Sequence, residues 1–414
     1  MPRPPIAFFH DSKGLLAPLT DLRASFDVRT GVQTLRERFA PSCVFVPPEL
    51  EDLAREVVPA IRPAHAPAPP AVLLNQTPGE VGEMLVVNGR CPLPPVDERL
   101  PLGHAVVEEG SGDLILAHVR AEDVPRVARG DLGGLDLATR PGRHLISRPW
   151  HVRALRDACI DHDLAHLCAH AEHSPRHLTG VSLVGWGPMA NNGTICAGVV
   201  LDLTHGPIAV LDGAVVRPGA ILIGPCAVGP HSTVLERATI RPHTSIGPWC
   251  KVNGEVGGTI FQGYANKAHD GYLGDSWVGE WVNLGAGTTG SNLLNTYGEI
   301  IARATPDGKN ERTGETFLGA VIGDHVKTAI CTRLMTGSVL HTGCMFATTA
   351  PVTGCVGAFT WATDDPDTGR AARGRYRLDK FGEVLRAAMS RRKVEPSAAY
   401  LRRLAELHGA CPKA

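Results

Sequence analysis

Aromatic residues make up only 5% of this 414-residue chain. Charge of one sign is not in excess either: 41 Lys and Arg stand against 42 Asp and Glu, a formal net charge of −1. That balance removes any global pull toward nucleic acid or anionic membrane. No run of about 18 apolar residues occurs, so no membrane-spanning helix is expected. The opening MPRPPIAFFHDSKG has neither the long apolar core nor the cleavage pattern of a secretion signal. Eleven cysteines are present, an odd and scattered set without one C-x-x-C pair. They argue against a disulfide framework or a zinc site and predict reduced, structural thiols in a cytoplasmic protein. What the chain has in plenty is turn residues, 46 Gly and 33 Pro. Scarce rings and plentiful turn formers suit tight parallel coils.

The stretch 209–256 divides into six-residue units: AVLDGA, VVRPGA, ILIGPC, AVGPHS, TVLERA, TIRPHT, SIGPWC and KVNGEV. The second position is aliphatic in each: Val210, Val216, Leu222, Val228, Val234, Ile240, Ile246 and Val252. The sixth is small or modest, as at Ala214, Ala220, Cys226 and Cys250. A period of six fits neither a helix nor an alternating strand. It predicts a triangular coil with one short strand per side and each aliphatic residue pointing inward. No coil is stable alone, because each pairs only with its neighbours. The pattern is disturbed over 257–271 and resumes as GYLGDS, WVGEWV and NLGAGT, which puts Tyr272 at an inward second position. It breaks again over 289–318, read as a loop or hairpin thrown out from the coil. It returns over 321–356, with Ile322, Thr328, Leu334, Leu340, Phe346 and Val352 inward.

Before the repeats, strands are predicted at 6–9, 44–46, 72–74, 84–87 and 114–116, with a helical turn at 34–39 and a proline-rich loop at 59–70. Alternating short strands and weak helices imply an α/β domain over 1–145. Helical spacing over 149–170 marks a linker. The expected division is an α/β domain at 1–145, a helical linker and entry to the coil at 146–206, a coil domain at 207–361 and a helical tail at 362–414.

The densest polar cluster lies at 263–292. Here NKAHDGYLG (266–274), GEWVNLGAGT (279–288) and SNLLNTYG (291–298) closely resemble the alternative bacterial branch of the GlmU-like enzymes that make UDP-N-acetylglucosamine. GDHVKTAICTRLMTGSV (323–339) and FTW (359–361) extend the resemblance. FFHD (8–11), the segment 15–39 and NGR (88–90) match more thinly. The resemblance implies a nucleotidyltransferase-like α/β domain, which could be degenerate, followed by a left-handed parallel β-helix that trimerises. It further implies transfer of an acyl group from acetyl-CoA to an amino sugar phosphate.

An amine attacks a thioester only as the free base, so a proton acceptor of near-neutral pKa must lie within hydrogen-bond reach. The resemblance places His269 in that role, with Asp270 to orient its ring. Tyr272, Asn283 and Asn292 match positions that hold the sugar and its phosphate, and Lys251, Lys267 and Arg241 would supply positive charge. The residues also admit plainer readings. H-D-G can be a simple turn, Lys267 a solvated surface lysine, Tyr272 a core residue and Asn283 part of an asparagine stack. For the phosphates of CoA, Lys327 and Arg333 are the candidates. Arg375 and Arg377 are weighed against a packing role on the last coil.

In the first domain, the segment after IAFF has one glycine rather than a phosphate-cradling run. Arg23 and Lys13 are candidates to meet a nucleotide, and Asp11 is the candidate ligand for the Mg²⁺ that UTP would bring; equally, Asp11 could cap a turn. Three functions follow. The first is an acyl-CoA-dependent N-acetyltransferase of an amino sugar phosphate such as glucosamine-1-phosphate. The second is a bifunctional enzyme that also transfers UMP. The third is a non-catalytic trimeric scaffold or sugar-nucleotide-binding protein. Nucleic-acid and membrane partners are not expected.

Overall fold

The computed structural model describes residues 3–57, 72–169 and 178–412. The proline-rich segment 59–70 and the last residue of the 149–170 helical stretch lie outside them. The chain forms two compact units, one of Met1–Leu16, Leu22–Val28 and Gln33–Arg148, the other of Ala17–Asp21, Arg29–Val32 and Pro149–Ala414.

The first unit is a seven-stranded mixed sheet in the order β3-β2-β1-β4-β6-β5-β7. Its strands are β1 (Ile6–Phe9), β2 (Cys43–Phe45), β3 (Leu73–Leu74), β4 (Glu83–Asn88), β5 (His104–Glu108), β6 (Leu114–Arg120) and β7 (Asp136–Arg140). β1 lies parallel to β2 and β4, and β6 runs antiparallel to β4 and β5. Phe8, Phe9, Val86 and Val87 are all buried, as expected of apolar runs in strands covered on both faces. Helix α1 (Leu35–Phe39) starts on a reciprocal capping box between Thr34 and Glu37. Helices α2 (Pro48–Glu56) and α3 (Val124–Ala128) complete the unit. Strands β5 and β7 escape sequence reading, and the reason is visible: β5 carries polar ends, and β7 is an edge strand exposed along most of its length.

From Pro149 onward the second unit holds helix α4 (His151–Leu167) and continues as a parallel β-solenoid. Successive hexads build successive faces. The first face is a nine-stranded ladder that runs from Met189–Asn191 to Cys355–Val356. The second face stacks Val216, Val234 and Val252, and the third stacks Leu222 and Ile240. Every predicted second position from Val210 to Val252 is buried, as are those of the later block. One register differs. On the third face Val256 pairs with Leu273, so Leu273 is the core residue and Tyr272 faces outward, half-buried. The cause is a shortened turn: Val252 stacks on Lys267 across fewer residues than Val234 on Val252, which shifts the hexad frame.

One corner of the solenoid carries a column of rings. His231, Trp249, Tyr264, Trp281 and His325 all hold positive φ, between 52° and 59°. Their rings form a continuous column with centroid spacings of 4.4, 6.3, 4.4 and 6.5 Å. Left-handed backbone costs an L-residue about 1–2 kcal/mol, and aromatic pairing offsets about 0.5–1.5 kcal/mol of that per contact. The broken stretch of repeats holds a small antiparallel pair, Ile301–Ala302 with Glu311–Arg312.

At the far end, helices α5 (Leu378–Ser390) and α6 (Ala398–Ala410) pack on the last coils. Phe381 meets Phe359 edge-on, and Tyr400 Oη lies 2.8 Å from His325 Nε2. The tail pattern reads from sequence as one amphipathic segment. The structure splits it in two, with Lys393 left-handed and Pro396 unable to continue a helix. Leu222→Ala, at a fully buried inward slot, is expected to lower unfolding free energy by about 2–5 kcal/mol in a denaturant titration. Ile221→Ala, at the exposed neighbour, should cost under about 1 kcal/mol.

Candidate functional site

The corner that carries His269 joins the second-face strand Asn266–Lys267 to the third-face strand Tyr272–Gly274. Gly271 makes this turn possible. Its φ is +120°, and a Cβ there would fall 2.1 Å from the Thr288 carbonyl oxygen, so no side chain is admissible. His269 and Asp270 are both exposed. The His269 ring does not donate to the Asp270 carboxylate, and among the described residues the exposed ring has no hydrogen-bond partner. The turn aims the two side chains outward separately.

Beside this corner, the outward positions of the second face form a polar column. Lys251 is in register with Asn266, Asn266 with Asn283, and Asn283 with Lys327. Asn266 Nδ2 donates to Asn283 Oδ1 at 2.8 Å, so the asparagine stack exists and its outer member stays exposed. Lys251 is exposed. Lys327 Nζ donates to the Trp281 carbonyl, and burial pushes its pKa down to about 8.

Lys267 does not join that column. Its register partner is Val252, an inward residue, and it is 2% exposed. Its Nζ donates to the carbonyls of Asn253 at 3.0 Å and His269 at 2.9 Å. Burial pushes its pKa down to about 8, partly opposed by Asp270. Neither a solvated surface lysine nor a direct substrate contact describes that environment, because the ammonium points into the coil.

On the third face, Asn292 Nδ2 donates to Tyr272 Oη at 3.0 Å and to Asp275 Oδ2 at 2.7 Å. Asp275 also accepts from Arg156 Nη1 of α4 at 2.7 Å. Burial, with Asp275 and Glu255 nearby, raises the Tyr272 pKa. Arg241 is paired with Glu255 at 2.5 Å, and Glu255 is the register neighbour of Tyr272. The structure thus gathers Tyr272, Asn292 and Arg241 on one side of the His269 corner and Lys251, Asn283 and Lys327 on the other. Arg333, exposed, donates to the Thr349 carbonyl. In the tail, Arg375 is held by His408 and Arg377 by Asp379. Sequence reading missed Asn266, Asp275 and Arg156. Asn266 had a detectable signal, since it opens the NKAHDG run; Arg156 lies on a helix far away in sequence and had none.

In the first unit, a cleft of about 660 Å³ is lined by His10, Asp11, Lys13, Asn75, Asn88 and Arg129, among others. It opens at the carboxyl ends of β1, β2 and β4, where open α/β sheets place ligands. His10 accepts from the Ser25 N–H through Nδ1, and burial lowers its pKa. Arg23 is buried. Asp11 does not offer a free carboxylate. Arg90 donates to it at 2.8 and 2.6 Å, and Asn88 Nδ2 at 2.9 Å. Burial works to raise the Asp11 pKa, but Arg90 and Asn88 hold it below the usual carboxylate range. Arg90 also meets Asp113 at 2.6 Å, and Lys13 meets the same carboxylate at 2.6 Å. This donor set does not fit Mg²⁺: a cation at Asp11 would face a buried guanidinium. Among the described residues, no cluster of three or more His, Cys, Asp or Glu could hold a metal ion.

The chain is 30% identical over 139 residues to the bifunctional protein GlmU of Rippkaea orientalis, which covers 32% of this chain and 28% of that protein. It is 31% identical over 134 residues to a bifunctional sugar-1-phosphate nucleotidylyltransferase/acetyltransferase of Sulfurisphaera tokodaii, covering 32% and 33%. The matches thus span about a third or less of these curated relatives' lengths. A solved Francisella novicida UDP-N-acetylglucosamine acyltransferase aligns over 53% of this chain and 74% of its own, at 10% identity and a TM-score of 0.21, too low to inform the comparison. No protein-family model matches. The chain therefore resembles GlmU-type proteins at modest identity.

Two outcomes follow from the buried charges. Folded Lys267 loses its proton near pH 8 and an unfolded lysine near 10.4, so between those values unfolding takes up a proton and rising pH favours the fold. The wild-type minus Lys267→Met difference in unfolding free energy should therefore grow as pH rises from 8 to 10; buried cysteines titrate in both proteins and cancel. Asp11→Asn leaves Arg90 with less countercharge, and a broken buried pair costs about 3–5 kcal/mol. Its melting temperature should fall equally with and without Mg²⁺, and a Mg²⁺-dependent difference would restore a metal role.

Proposed function

We propose that the solenoid catalyses acyl transfer from acyl-CoA, with acetyl-CoA as the donor, to the amine of an amino sugar phosphate of the glucosamine-1-phosphate kind. The observation that carries this reading is the exposed, unpartnered His269 ring on a corner flanked by two polar columns. The ring is open to an incoming amine, and the columns offer hydroxyl, amide and ammonium groups to a sugar and its phosphate. The names of the GlmU-type relatives point the same way.

In this mechanism the sugar amine attacks the thioester carbonyl and passes its proton to a His269 ring nitrogen. The tetrahedral intermediate then expels the CoA thiolate, which takes up a proton to leave as the thiol. Backbone N–H groups at a coil corner are suited to the oxyanion. Tyr272, Asn292 and Asn283 would hold the sugar, with Lys251 toward its phosphate. Arg241 would need to leave Glu255 to take part. Arg333 would meet the phosphates of CoA from the later coils, and Lys327 would need to leave the Trp281 carbonyl to join it. The active form would be a homotrimer whose cofactor lies between neighbouring prisms.

The first unit's cleft favours a second function of ligand binding, in keeping with nucleotidyltransferase-type relatives. The pairing of Asp11 with Arg90 and Asn88 gives no support to metal-dependent UMP transfer there, and none is proposed.

Free thiol release from acetyl-CoA with glucosamine-1-phosphate is the deciding measurement. His269→Ala should lower kcat by roughly a hundredfold to ten-thousandfold, with the melting temperature unchanged. Wild-type turnover in that variant would remove His269 as the base, and sedimentation equilibrium that finds only monomer would remove the shared cofactor site.

A further inference from the structure

The second face is a ladder of inward slots, and all but one of the early slots are aliphatic. Val216, Val234 and Val252 stack in register, and the next slot holds Lys267. A cation in an apolar slot is costly unless its donors are satisfied. The lysine stem fills the space a valine fills one turn earlier. The ammonium then reaches the corner from inside and donates to two carbonyls, those of Asn253 and His269. These belong to consecutive turns of the coil at the same corner. Asn253 in turn accepts the Gly254 N–H through Oδ1, which ties that loop as well.

We infer that Lys267 is a positioning residue for His269: a buried clamp that draws the His269 carbonyl inward and so fixes the ring outward. The geometry gives a reason for a charged residue at this slot. A carbonyl held inward fixes the peptide plane that follows His269, and with it the directions its Cα–Cβ bond can take. Without an internal donor that carbonyl would turn toward water, and the base would swing with it. The inference rests on the acyl-transfer reading of His269, but the clamp itself is a structural claim. Asp270, exposed next to His269, and Lys251, outward on the preceding turn, are the neighbouring charges. Neither donates to the His269 carbonyl.

Three full-length proteins decide the matter: wild type, Lys267→Met and Lys267→Gln. Methionine keeps an apolar stem and drops the donors; glutamine keeps a donor and drops the charge. Backbone amide exchange over 268–272, read by mass spectrometry, should speed up at least about fivefold in Lys267→Met and less in Lys267→Gln. In the acetyl-transfer assay, Lys267→Met should lose about tenfold or more in kcat, with KM for the sugar phosphate within about twofold, and Lys267→Gln should recover part of the loss. Unchanged exchange at the turn would overturn the clamp. Normal exchange elsewhere with kcat and KM both unaltered in Lys267→Met would overturn the link to His269. If wild type turns over no amino sugar phosphate, the acyl-transfer reading fails by itself, and the exchange data still decide the clamp.

Discussion

An inward slot on a three-sided coil has no way out. Its neighbours above and below are in register, its flanks are the next faces, and its backbone is paired on both sides. The solenoid therefore depends on filling nearly every slot with an apolar side chain that fits it, Lys267 and Thr328 being departures. Val210, Leu222, Val234 and Ile240 do this at almost no exposure, and the buried cysteines at the sixth positions pack as compact apolar groups. Burial pushes the Cys226, Cys250 and Cys344 thiols up to about 12, so they stay protonated and unreactive.

That regularity makes departures informative. The shortened coil between Val252 and Lys267 directly precedes the His269 corner, where Gly271 admits no Cβ and the changed frame leaves Tyr272 outward. The same turn brings Tyr272 within reach of Asn292. A perfect repeat would have buried that side chain. The candidate site exists because the repeat is broken there.

The ends and faces of the coil are closed by different means. Helix α4 is anchored by Arg156, whose guanidinium is shared among Asp157, Asp275 and the Gly258 carbonyl. Asp157 and Asp275 keep it charged against the opposing effect of burial. Asp275 links this anchor to Asn292 and so to Tyr272, which gives the outward residues of the third face a fixed backing. The tail covers the last coils with Phe381 and Leu404, both buried. In the first unit the comparable fixed point is Arg90, nearly fully buried and paired with Asp11 and Asp113. A carboxylate that reads in sequence as a metal ligand is there the counterion of a guanidinium 79 positions away.

By itself the sequence determined the coil, its inward residues and the strands β1, β2, β4 and β6, because short-range periodicity and apolar runs report burial directly. It also singled out the His269 run by resemblance. Only the tertiary structure decided which side of the wall each polar residue occupies. Lys267 and Asn266 are adjacent in sequence, yet one is sealed inside and the other lies on the surface. Their fates depend on how a shortened turn in the preceding coil sets the register, and on partners such as Arg156 and Arg90 that no local pattern connects to Asp275 and Asp11.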